Sequence, residues 1–556
     1  MKEKLIKLIT DALNTLGISE DNISLEIPKN KDNGDYSTNI ALKSAKKINK
    51  SPMELANSLK DLIHSEFIEE VNVAMPGFIN FKLKKDYLYE NLNNVLALID
   101  DYGRQSFGNN EKVNIEFVSA NPTGILHMGN ARGGAYGDSL ARIMSFCGYD
   151  VTKEYYLNDA GNQINKLANS VYSRYLTLCG IENEFPENGY PGKEIYDIAE
   201  KLYSEYKDKY VNNDFNFIKE FSTKYLTDII FEHLKEYRIN YDVITSEKSI
   251  YQKYNFDDVI NKMRDNGYIY EKDGAIWFKS SAIYDDQDHV LIKSDGTNTY
   301  LLPDILYHED KIKRGFTQII DVLGTDHHGY VARLKGAIKA LGLNDNYIDI
   351  KLLQLVRIIQ NHEVVTMHKR TGKVITLKDL IDDTSVNAVR FYFSKYSLDT
   401  QMDFDIDLAR SSSNDNQVYY ICYAYARICS ILNKYNKEVS KLDDYNYITG
   451  DSAQKLLTFI YMFPDVVKSA ALKKTPHILA NYSYELSSLF HNFYETNKII
   501  TENDEQTKQN ICLIKAVKIT LFNALDLIGV VPEERMENEK MANRFLKGNT
   551  TQSLYQ

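Results

Sequence analysis

The sequence predicts a multidomain α/β protein, in which a doubly wound parallel sheet lies between a small N-terminal α+β domain and an all-α C-terminal domain. Three observations predict this fold class. The chain has 556 residues, which is enough for several domains. Strand-like and helix-like segments alternate from residue 111 to about 345, as in parallel sheets. From 411 to 535 the apolar pattern is almost entirely helical.

The first predicted unit covers residues 1–85. Apolar residues recur at helical spacing near its start, and Gly17 is suited to end that helix. A turn at Pro76-Gly77 precedes a short predicted strand. Residues 86–110 are predicted to form a polar helix and a connector.

The parallel sheet is predicted over residues 111–345, with strands at 113–117, 151–157 and 317–324. Tyr- and Lys-rich helical segments interrupt the alternation, so a helical insertion is predicted at about 182–290. Residues 346–410 have a mixed pattern. The helical domain follows over 411–536.

Composition excludes several classes of protein. Hydrophobic residues make up 43% and charged residues 26% of the chain, which is ordinary for a folded protein and argues against wholesale disorder. No apolar run approaches the roughly 18 residues of a membrane span, and the start lacks the features of a secretory signal. Five cysteines without a CxxC pair favour a reducing, cytoplasmic location. A net charge of −11 argues against indiscriminate binding to nucleic acid but permits local contact.

The most informative segment is 117–130, Phe-Val-Ser-Ala-Asn-Pro-Thr-Gly-Ile-Leu-His-Met-Gly-Asn. It leaves a predicted strand, turns, and enters a helix rich in small residues. Such a turn directs free N–H groups and the positive helix end beyond the sheet, where ligands of open α/β sheets bind. Gly129 permits close approach of a nucleotide, and His127 and Asn130 share one face of the first helical turn. The segment predicts a phosphate site, although its last four residues alone would more often belong to a packing helix.

A second segment, Thr366-Met367-His368-Lys369-Arg370-Thr371-Gly372-Lys373, is a short basic loop. Lys and Arg on such loops neutralise the charge that develops on a transferring phosphoryl or nucleotidyl group. Taken alone, the loop would more often be a solvated surface feature.

Together the two segments resemble the HIGH and KMSKS signatures of class I aminoacyl-tRNA synthetases, and their wider context resembles the arginyl-tRNA synthetase family. The resemblance extends over residues 1–536. The further stretches that carry it are Ser-Ala-Asn-Pro-Thr-Gly at 119–124, Leu-Asn-Asp-Ala-Gly-Asn-Gln-Ile at 157–164, Lys-Ser-Asp-Gly-Thr at 293–297, Thr-Tyr-Leu-Leu-Pro-Asp at 299–304, Gly-Thr-Asp-His-His-Gly-Tyr at 324–330, Val-Tyr-Tyr-Ile-Cys-Tyr-Ala-Tyr-Ala-Arg-Ile at 418–428 and Val-Pro-Glu-Glu-Arg-Met at 531–536.

The resemblance implies ATP-dependent ligation of L-arginine to tRNA(Arg) through an arginyl-adenylate, with release of AMP and diphosphate. It implies that Mg²⁺ travels with ATP, without a protein-bound metal cluster, and that the protein is a cytoplasmic monomer. The implied domains are a tRNA-elbow domain at 1–85, a Rossmann-type catalytic domain at 111–345, a basic-loop and stem-contact region at 346–410 and an anticodon-binding domain at 411–536. No role is implied for the tail at 537–556.

The resemblance also assigns residues to roles. Tyr300 and Asp304 are four apart, so a helical turn is expected to bring ring and carboxylate together around a guanidinium. The implied catalytic residues are His127, Asn130, Lys369 and Arg370; those for ATP are Gly129, Gly324, Asp326 and His327; those for arginine are Glu116, Asn121, Tyr300 and Asp304; and those for tRNA are Phe78, Asn80, Tyr419 and Tyr420.

Three departures from the family pattern raise questions, and one of them is the tail at 537–556 that follows Met536. The first Lys and the Ser of the basic loop signature are Thr366 and His368 here, so another cation must neutralise the phosphates. Candidates are Lys112, Lys293 and Arg370, and Lys112 is the first choice because it opens the strand that leads into the HIGH-like turn. In the helical domain Gln417 replaces the Pro that usually precedes Val-Tyr-Tyr, which leaves the local turn undetermined.

Two alternative functions are compatible with the sequence. One is a paralogue that activates arginine for another acceptor or resists an arginine-mimicking antibiotic. The other is a catalytically silent relative that only binds tRNA or a protein partner. The intact His127, Gly129 and Lys369 favour an enzyme, and the presence of both flanking domains favours tRNA as the acceptor.

Overall fold

The computed structural model describes residues 1–212, 214–365, 374–439 and 441–536. The basic loop at 366–373 and the tail at 537–556 therefore lie outside the described residues. The predicted catalytic residues Lys369 and Arg370 belong to that loop.

The N-terminal unit is an antiparallel sheet covered by helices. The strand order is β1-β3-β2, and β2 and β3 form a hairpin whose turn contains Pro76 and Gly77. Its elements are α1 (Lys2–Thr15), β1 (Tyr36–Thr38), α2 (Ile40–Ser44), α3 (Pro52–Leu62), β2 (Ile68–Ala74) and β3 (Phe78–Leu83). Helix α4 (Lys85–Leu98) follows this unit.

The central unit contains a five-stranded parallel sheet with the order β11-β10-β4-β5-β6. The chain proceeds from β4 outward to β5 and β6, and from β10 outward to β11 in the opposite direction, so the strand order reverses between β4 and β10. From β4 to β6 the elements are β4 (Lys112–Glu116), α5 (Met128–Phe146), β5 (Asp150–Leu157), α6 (Asn162–Leu178), α7 (Lys193–Tyr206), α8 (Phe215–Glu236) and β6 (Val243–Ser246).

The segment predicted as a helical insertion differs from that expectation. Strand β6 lies inside it but belongs to the main parallel sheet, and β7, β8 and β9 form a separate antiparallel sheet. These strands are only four residues long, too short for a periodic pattern to distinguish them from helix. The remaining elements of this unit are α9 (Glu247–Lys253), α10 (Phe256–Asp265), β7 (Ile269–Lys272), β8 (Ala275–Phe278), β9 (His289–Ile292), α11 (Leu301–Lys313), β10 (Gln318–Gly324), α12 (Tyr330–Ala340) and β11 (Ile348–Leu353).

A mixed segment and a helical domain complete the fold. The mixed segment contains β12 (Val356–Gln360), β13 (Glu363–Val365), α13 (Leu377–Asp383), α14 (Val386–Ser394), β14 (Met402–Asp405) and α15 (Ile406–Arg410). The helical domain contains α16 (Gln417–Tyr435), α17 (Asp451–Tyr461), α18 (Phe463–Lys473), α19 (His477–Thr496) and α20 (Asp504–Asp526). The predicted multidomain α/β fold class, with a parallel central sheet and a helical C-terminal domain, is confirmed.

Candidate functional site

A cavity of about 820 Å³ opens beyond the carboxyl ends of β4 and β10, at the point where the strand order reverses. Open α/β sheets bind their ligands at such positions. Eight of the residues predicted from the sequence line it: Glu116, Asn121, His127, Asn130, Tyr300, Asp304, Gly324 and His327.

The HIGH-like turn forms the N-terminal cap of α5. The backbone N–H of His127 donates to Oδ1 of Asn130 at 3.0 Å, and the N–H of Gly129 donates to Nδ1 of His127 at 3.0 Å. A Cβ on residue 129 would lie 2.8 Å from the His127 ring, so only glycine leaves room for this cap. Burial lowers the pKa of His127, which favours the neutral ring. Because Nδ1 accepts, the neutral ring carries its proton on Nε2 and can donate it to a ligand.

The residues that follow the basic loop attach to this turn. The N–H of Met128 donates to the carbonyl oxygen of Ile375 at 3.1 Å, and the N–H of Leu377 donates to that of Leu126 at 2.9 Å. Residues 375–377, which follow the basic loop in sequence, therefore lie directly beside the N-terminus of α5.

The residues predicted for arginine lie on different walls of the cavity. Glu116 ends β4, and Asp304 lies in the first turn of α11, where its carboxylate accepts a hydrogen bond from the Tyr330 hydroxyl. Tyr300 is 79% exposed at the mouth. Asn121 is also exposed, and its Nδ2 donates to Oε1 of Gln163 at 2.6 Å.

Two further charged residues of the cavity were missed by the sequence reasoning. Glu247, the first residue of α9, is 6% exposed, and burial raises the pKa of its carboxyl group. Arg333 of α12 lines the cavity with its guanidinium over the Tyr330 ring. Neither residue stands in a motif, so only the fold brings them here.

Three of the four residues predicted for ATP lie near the end of β10, whereas Gly129 lies in the first turn of α5. Gly324 and His327 line the cavity, whereas the Asp326 side chain is 82% exposed. A Cβ on residue 324 would lie 2.6 Å from Oδ1 of Asp326, so glycine lets that carboxylate fold over the chain.

Lys112, which was the first choice to replace the missing lysine of the basic loop, does not line the cavity. Lys112 stands at the amino end of β4, roughly 13 Å of strand away from Glu116, and its Nζ donates to the carbonyl oxygen of Arg314 at 2.8 Å. Because β4 ends at the cavity, its first residue lies at the opposite end of the strand. Lys293 is exposed and does not line the cavity. Among the described residues, Arg333 is the guanidinium that lines it.

The residues predicted for tRNA lie in the two outer units. Phe78 is 36% exposed beside the β2–β3 turn, whereas Asn80 is 7% exposed and its Oδ1 accepts from Ser37 at 2.7 Å. On α16 the ring centroids of the half-buried Tyr420 and of His491 are 4.5 Å apart, and the Tyr419 ring is parallel to the Tyr423 ring.

The Gln417 departure leaves the helix start intact. Helix α16 begins at Gln417, and the Gln417 N–H donates to the Tyr392 hydroxyl at 3.0 Å. Proline is favoured at this first helical position, so Gln417 keeps the turn and adds a hydrogen bond that proline lacks.

The described residues contain neither a metal-ligand cluster nor a membrane-spanning helix. No group of three or more His, Cys, Asp or Glu side chains in these ranges is arranged to hold a metal ion. Within the same ranges, no helix combines the length and apolarity that a membrane crossing needs.

Three protein-family models match consecutive parts of the chain. The arginyl tRNA synthetase N terminal domain matches residues 3–83, the class I (R) tRNA synthetase catalytic domain matches 91–397, and the DALR anticodon binding domain matches 421–536. The catalytic-domain model alone covers more than half of the chain.

The individual proteins that this chain resembles are also arginyl-tRNA synthetases. The arginine--tRNA ligase of Bacillus subtilis (strain 168) is 45% identical over 96% of this chain and 99% of its own length. That of Geobacillus thermodenitrificans is 44% identical over the same shares. The structure of Thermus thermophilus arginyl-tRNA synthetase has the same fold, with a TM-score of 0.77 and 20% identity over 96% of this chain and 100% of that chain.

Proposed function

The chain belongs to the arginyl-tRNA synthetase family, and on that premise we propose that it joins L-arginine to tRNA(Arg) in the cavity between β4 and β10. The observation that carries the proposal is that the N-terminus of α5 and the carboxylates of Glu116, Glu247 and Asp304 meet in one cavity. The first part suits a nucleotide, and the second suits a cationic amino acid.

In the first step an oxygen of the arginine carboxylate attacks the α-phosphorus of ATP. The bond from that phosphorus to the bridging oxygen breaks, and pyrophosphate leaves. His127 donates from Nε2 to the phosphate oxygens, and Asn130 donates from Nδ2, because its Oδ1 is engaged by the helix cap. The N-terminus of the 19-residue helix α5 adds its positive end. The protein thus contributes position and charge stabilisation.

Arginine is proposed to lie across the cavity with its guanidinium between Asp304 and Glu247. Two carboxylates satisfy several of the five guanidinium N–H donors, and Tyr300 covers one face of the planar cation. The α-amino and carboxylate end lies near Glu116 and Asn121. A neutral urea analogue lacks the charge that this arrangement neutralises.

The adenosine is assigned to the rim formed by Gly129, Gly324, Asp326 and His327. Mg²⁺ enters with ATP as part of the substrate, since it commonly relies on substrate phosphates. Lys369 and Arg370 are assigned to the departing pyrophosphate, with Arg333 as the additional cation in place of Lys112. The connection of residues 375–377 to the HIGH-like turn supports this, because it ties one end of the basic loop to the phosphate site.

In the second step the terminal ribose hydroxyl of tRNA attacks the carbonyl carbon of the adenylate, and AMP leaves. We assign the tRNA elbow to the N-terminal unit through Phe78 and Asn80, the acceptor stem to the 346–410 region, and the anticodon to the helical domain through Tyr419 and Tyr420. A groove of about 590 Å³ further along α16 supports the last assignment, because it is lined by Tyr423, Tyr494 and Lys434.

The alternatives are not favoured. Curated relatives along 96% of the chain are arginine--tRNA ligases, and this coverage supports tRNA as the acceptor. We also propose that the protein acts as a monomer in the cytoplasm, where translation uses its product.

Arginine-dependent exchange of pyrophosphate into ATP, measured with and without tRNA(Arg), tests the proposal together with tRNA charging. Exchange and charging support a tRNA ligase. Exchange without charging would support a paralogue with another acceptor, and tRNA binding without either activity would support the silent relative.

A further inference from the structure

One face of α11 carries three charged residues toward the sheet. Asp304, His308 and Lys311 stand at positions i, i+4 and i+7, which place them in one stripe along the helix. Asp321 of β10 lies opposite Glu116 of β4 in the strand pairing, so both carboxylates are on the same face of the sheet. The helix stripe and the strand pair thereby meet beneath the cavity.

Hydrogen bonds connect these five residues into one chain, here called the α11 charge chain: Glu116, Lys311, Asp321, His308 and Asp304. Nζ of Lys311 donates to Oε1 of Glu116 at 2.8 Å and to Oδ1 of Asp321 at 3.2 Å. His308 contacts Oδ2 of Asp321 through Nε2 at 2.5 Å and the Asp304 carbonyl oxygen through Nδ1 at 2.7 Å.

The middle of the chain is buried and its two ends reach the cavity. The side chains of Lys311, His308 and Asp321 are 0%, 3% and 4% exposed. The side chains of Glu116 and Asp304 are 13% and 31% exposed, and both line the cavity. The chain therefore joins two walls of the arginine site through the protein interior.

The hydrogen bonds fix the charge of His308. Both of its ring nitrogens face oxygens that can only accept, a carbonyl and a carboxylate, so both nitrogens must carry a proton. Burial alone would lower the pKa of His308, but the Asp321 charge and hydrogen bond outweigh it and raise the pKa to about 9. Three carboxylates and two cations leave the α11 charge chain with one net negative charge.

We propose that Lys311 and His308 are positioning residues for arginine, which hold Glu116 and Asp304 in place and reduce the net charge of the α11 charge chain to a single negative charge. The inference rests on the proposed arginine site. Lys311 fixes one oxygen of Glu116, and Ser119 donates to the other at 3.0 Å, so the carboxylate has one orientation. His308 fixes the first turn of α11, from which Asp304 projects.

A structural role alone would not require this arrangement. Buried ion pairs are often replaceable by apolar residues without loss of stability, so their presence does not by itself explain a fold. A second ion pair nearby serves for comparison: Arg314, the residue after α11, donates to both oxygens of Glu154 of β5 at 2.6 and 3.0 Å, and neither residue lines the cavity.

The test is steady-state pyrophosphate exchange with tRNA(Arg) present, with KM measured separately for arginine and for ATP. Lys311→Met and His308→Gln should raise KM for arginine at least about tenfold, the loss expected for hydrogen bonds to charged groups, with KM for ATP within about threefold. Lys311→Arg should recover most of the arginine affinity, because it keeps the cation. The control Arg314→Met should lower the thermal unfolding midpoint without this selective change.

Unchanged arginine KM in Lys311→Met and His308→Gln would overturn the inference, and so would equal increases for both substrates. If Lys311→Met does not fold, the comparison of His308→Gln with Arg314→Met decides. Glu116→Gln and Asp304→Asn separate the two levels of the argument. If these also leave the arginine KM unchanged, the proposed site is wrong; if they raise it while the positioning variants do not, only the positioning role fails.

Discussion

At the scale of single residues, the neighbours of His127 fix the proton position that its proposed catalytic role requires. Its Nδ1 accepts the Gly129 N–H, so the proton is confined to Nε2, and burial lowers its pKa and keeps the ring neutral. A preorganised donor needs no reorientation when charge develops on the phosphate, and this is the source of its effect on rate.

His127→Ala is expected to lower the rate of pyrophosphate exchange by about 10²–10³-fold, as for the loss of one preorganised donor. The KM for tRNA should stay within a few-fold, because the ring is assigned to the transition state. Exchange rates under saturating substrates measure the effect. A variant with nearly wild-type exchange would remove His127 from the catalytic group.

Asp304→Asn keeps the shape of the side chain and removes its charge. We expect the KM for arginine to rise much more than the KM for ATP, because the guanidinium loses a charge-assisted partner. The matched test on the ligand side is citrulline, which wild type should reject strongly. Equal weakening of arginine and ATP would indicate a folding defect instead of a lost contact.

His308 should also make stability depend on pH. Its pKa is raised from the ordinary 6.5 to about 9 by Asp321, with Asp304 adding to this effect and Lys311 opposing it, while Glu116 lies beyond Lys311 in the same chain. The contribution to the free energy of unfolding is therefore complete below about pH 6.5 and is lost as pH rises through about 9. Urea denaturation at several pH values should show the difference between wild type and His308→Gln shrinking over this window. A constant difference would contradict a charged His308.

At the scale of elements, the small residues of α5 let the helix lie close to the end of β4. The sequence indicated a helix rich in glycine and alanine, but it did not indicate which glycine is essential. A Cβ on Gly137 would lie 2.2 Å from Cγ of Phe117, whereas the nearest atom to a Cβ on Gly336 of α12 is 3.8 Å away.

Gly137→Ala should therefore destabilise the protein by about 1–3 kcal/mol or more, the usual effect of overpacking. Gly336→Ala is the control and should be neutral or stabilise by up to roughly 1 kcal/mol, because alanine favours helix. Thermal unfolding midpoints of both variants measure the contrast. Similar midpoints for the two would show that α5 can move away from β4 without loss.

At the scale of the whole molecule, the N-terminal unit is fixed to the helical domain as well as to the chain that follows it. The Tyr36 hydroxyl donates to Oδ2 of Asp465 at 2.7 Å, and the Lys2 N–H donates to the same carboxylate oxygen at 3.2 Å. The hairpin turn that carries Phe78 thus has a defined position relative to the rest of the molecule.

Phe78→Ala is expected to raise the KM for tRNA at least about fivefold, since loss of a stacking aromatic typically costs about 1–3 kcal/mol per base. The KM values for arginine and ATP should not change, because the cavity belongs to another unit. Charging kinetics with varied tRNA measure the effect. Tyr36→Phe provides a comparison that alters the docking of this unit and not its exposed surface.

The sequence by itself determined the fold class, the order of the matched domains and the residues of the proposed nucleotide half of the site. The reason is locality: the cap formed by His127, Gly129 and Asn130 and the turn before it are made by residues a few positions apart, so their pattern is legible in the chain. Only the tertiary structure decided the charge balance of the proposed arginine half. Lys311 contacts Glu116 although the two residues are 195 positions apart in sequence, and Glu247 comes from the segment predicted as an insertion. Lys112 lies at the amino end of β4, and the length of that strand separates it from the cavity. Electrostatic partners are set by distance in space, which the folded sheet determines and no local pattern records.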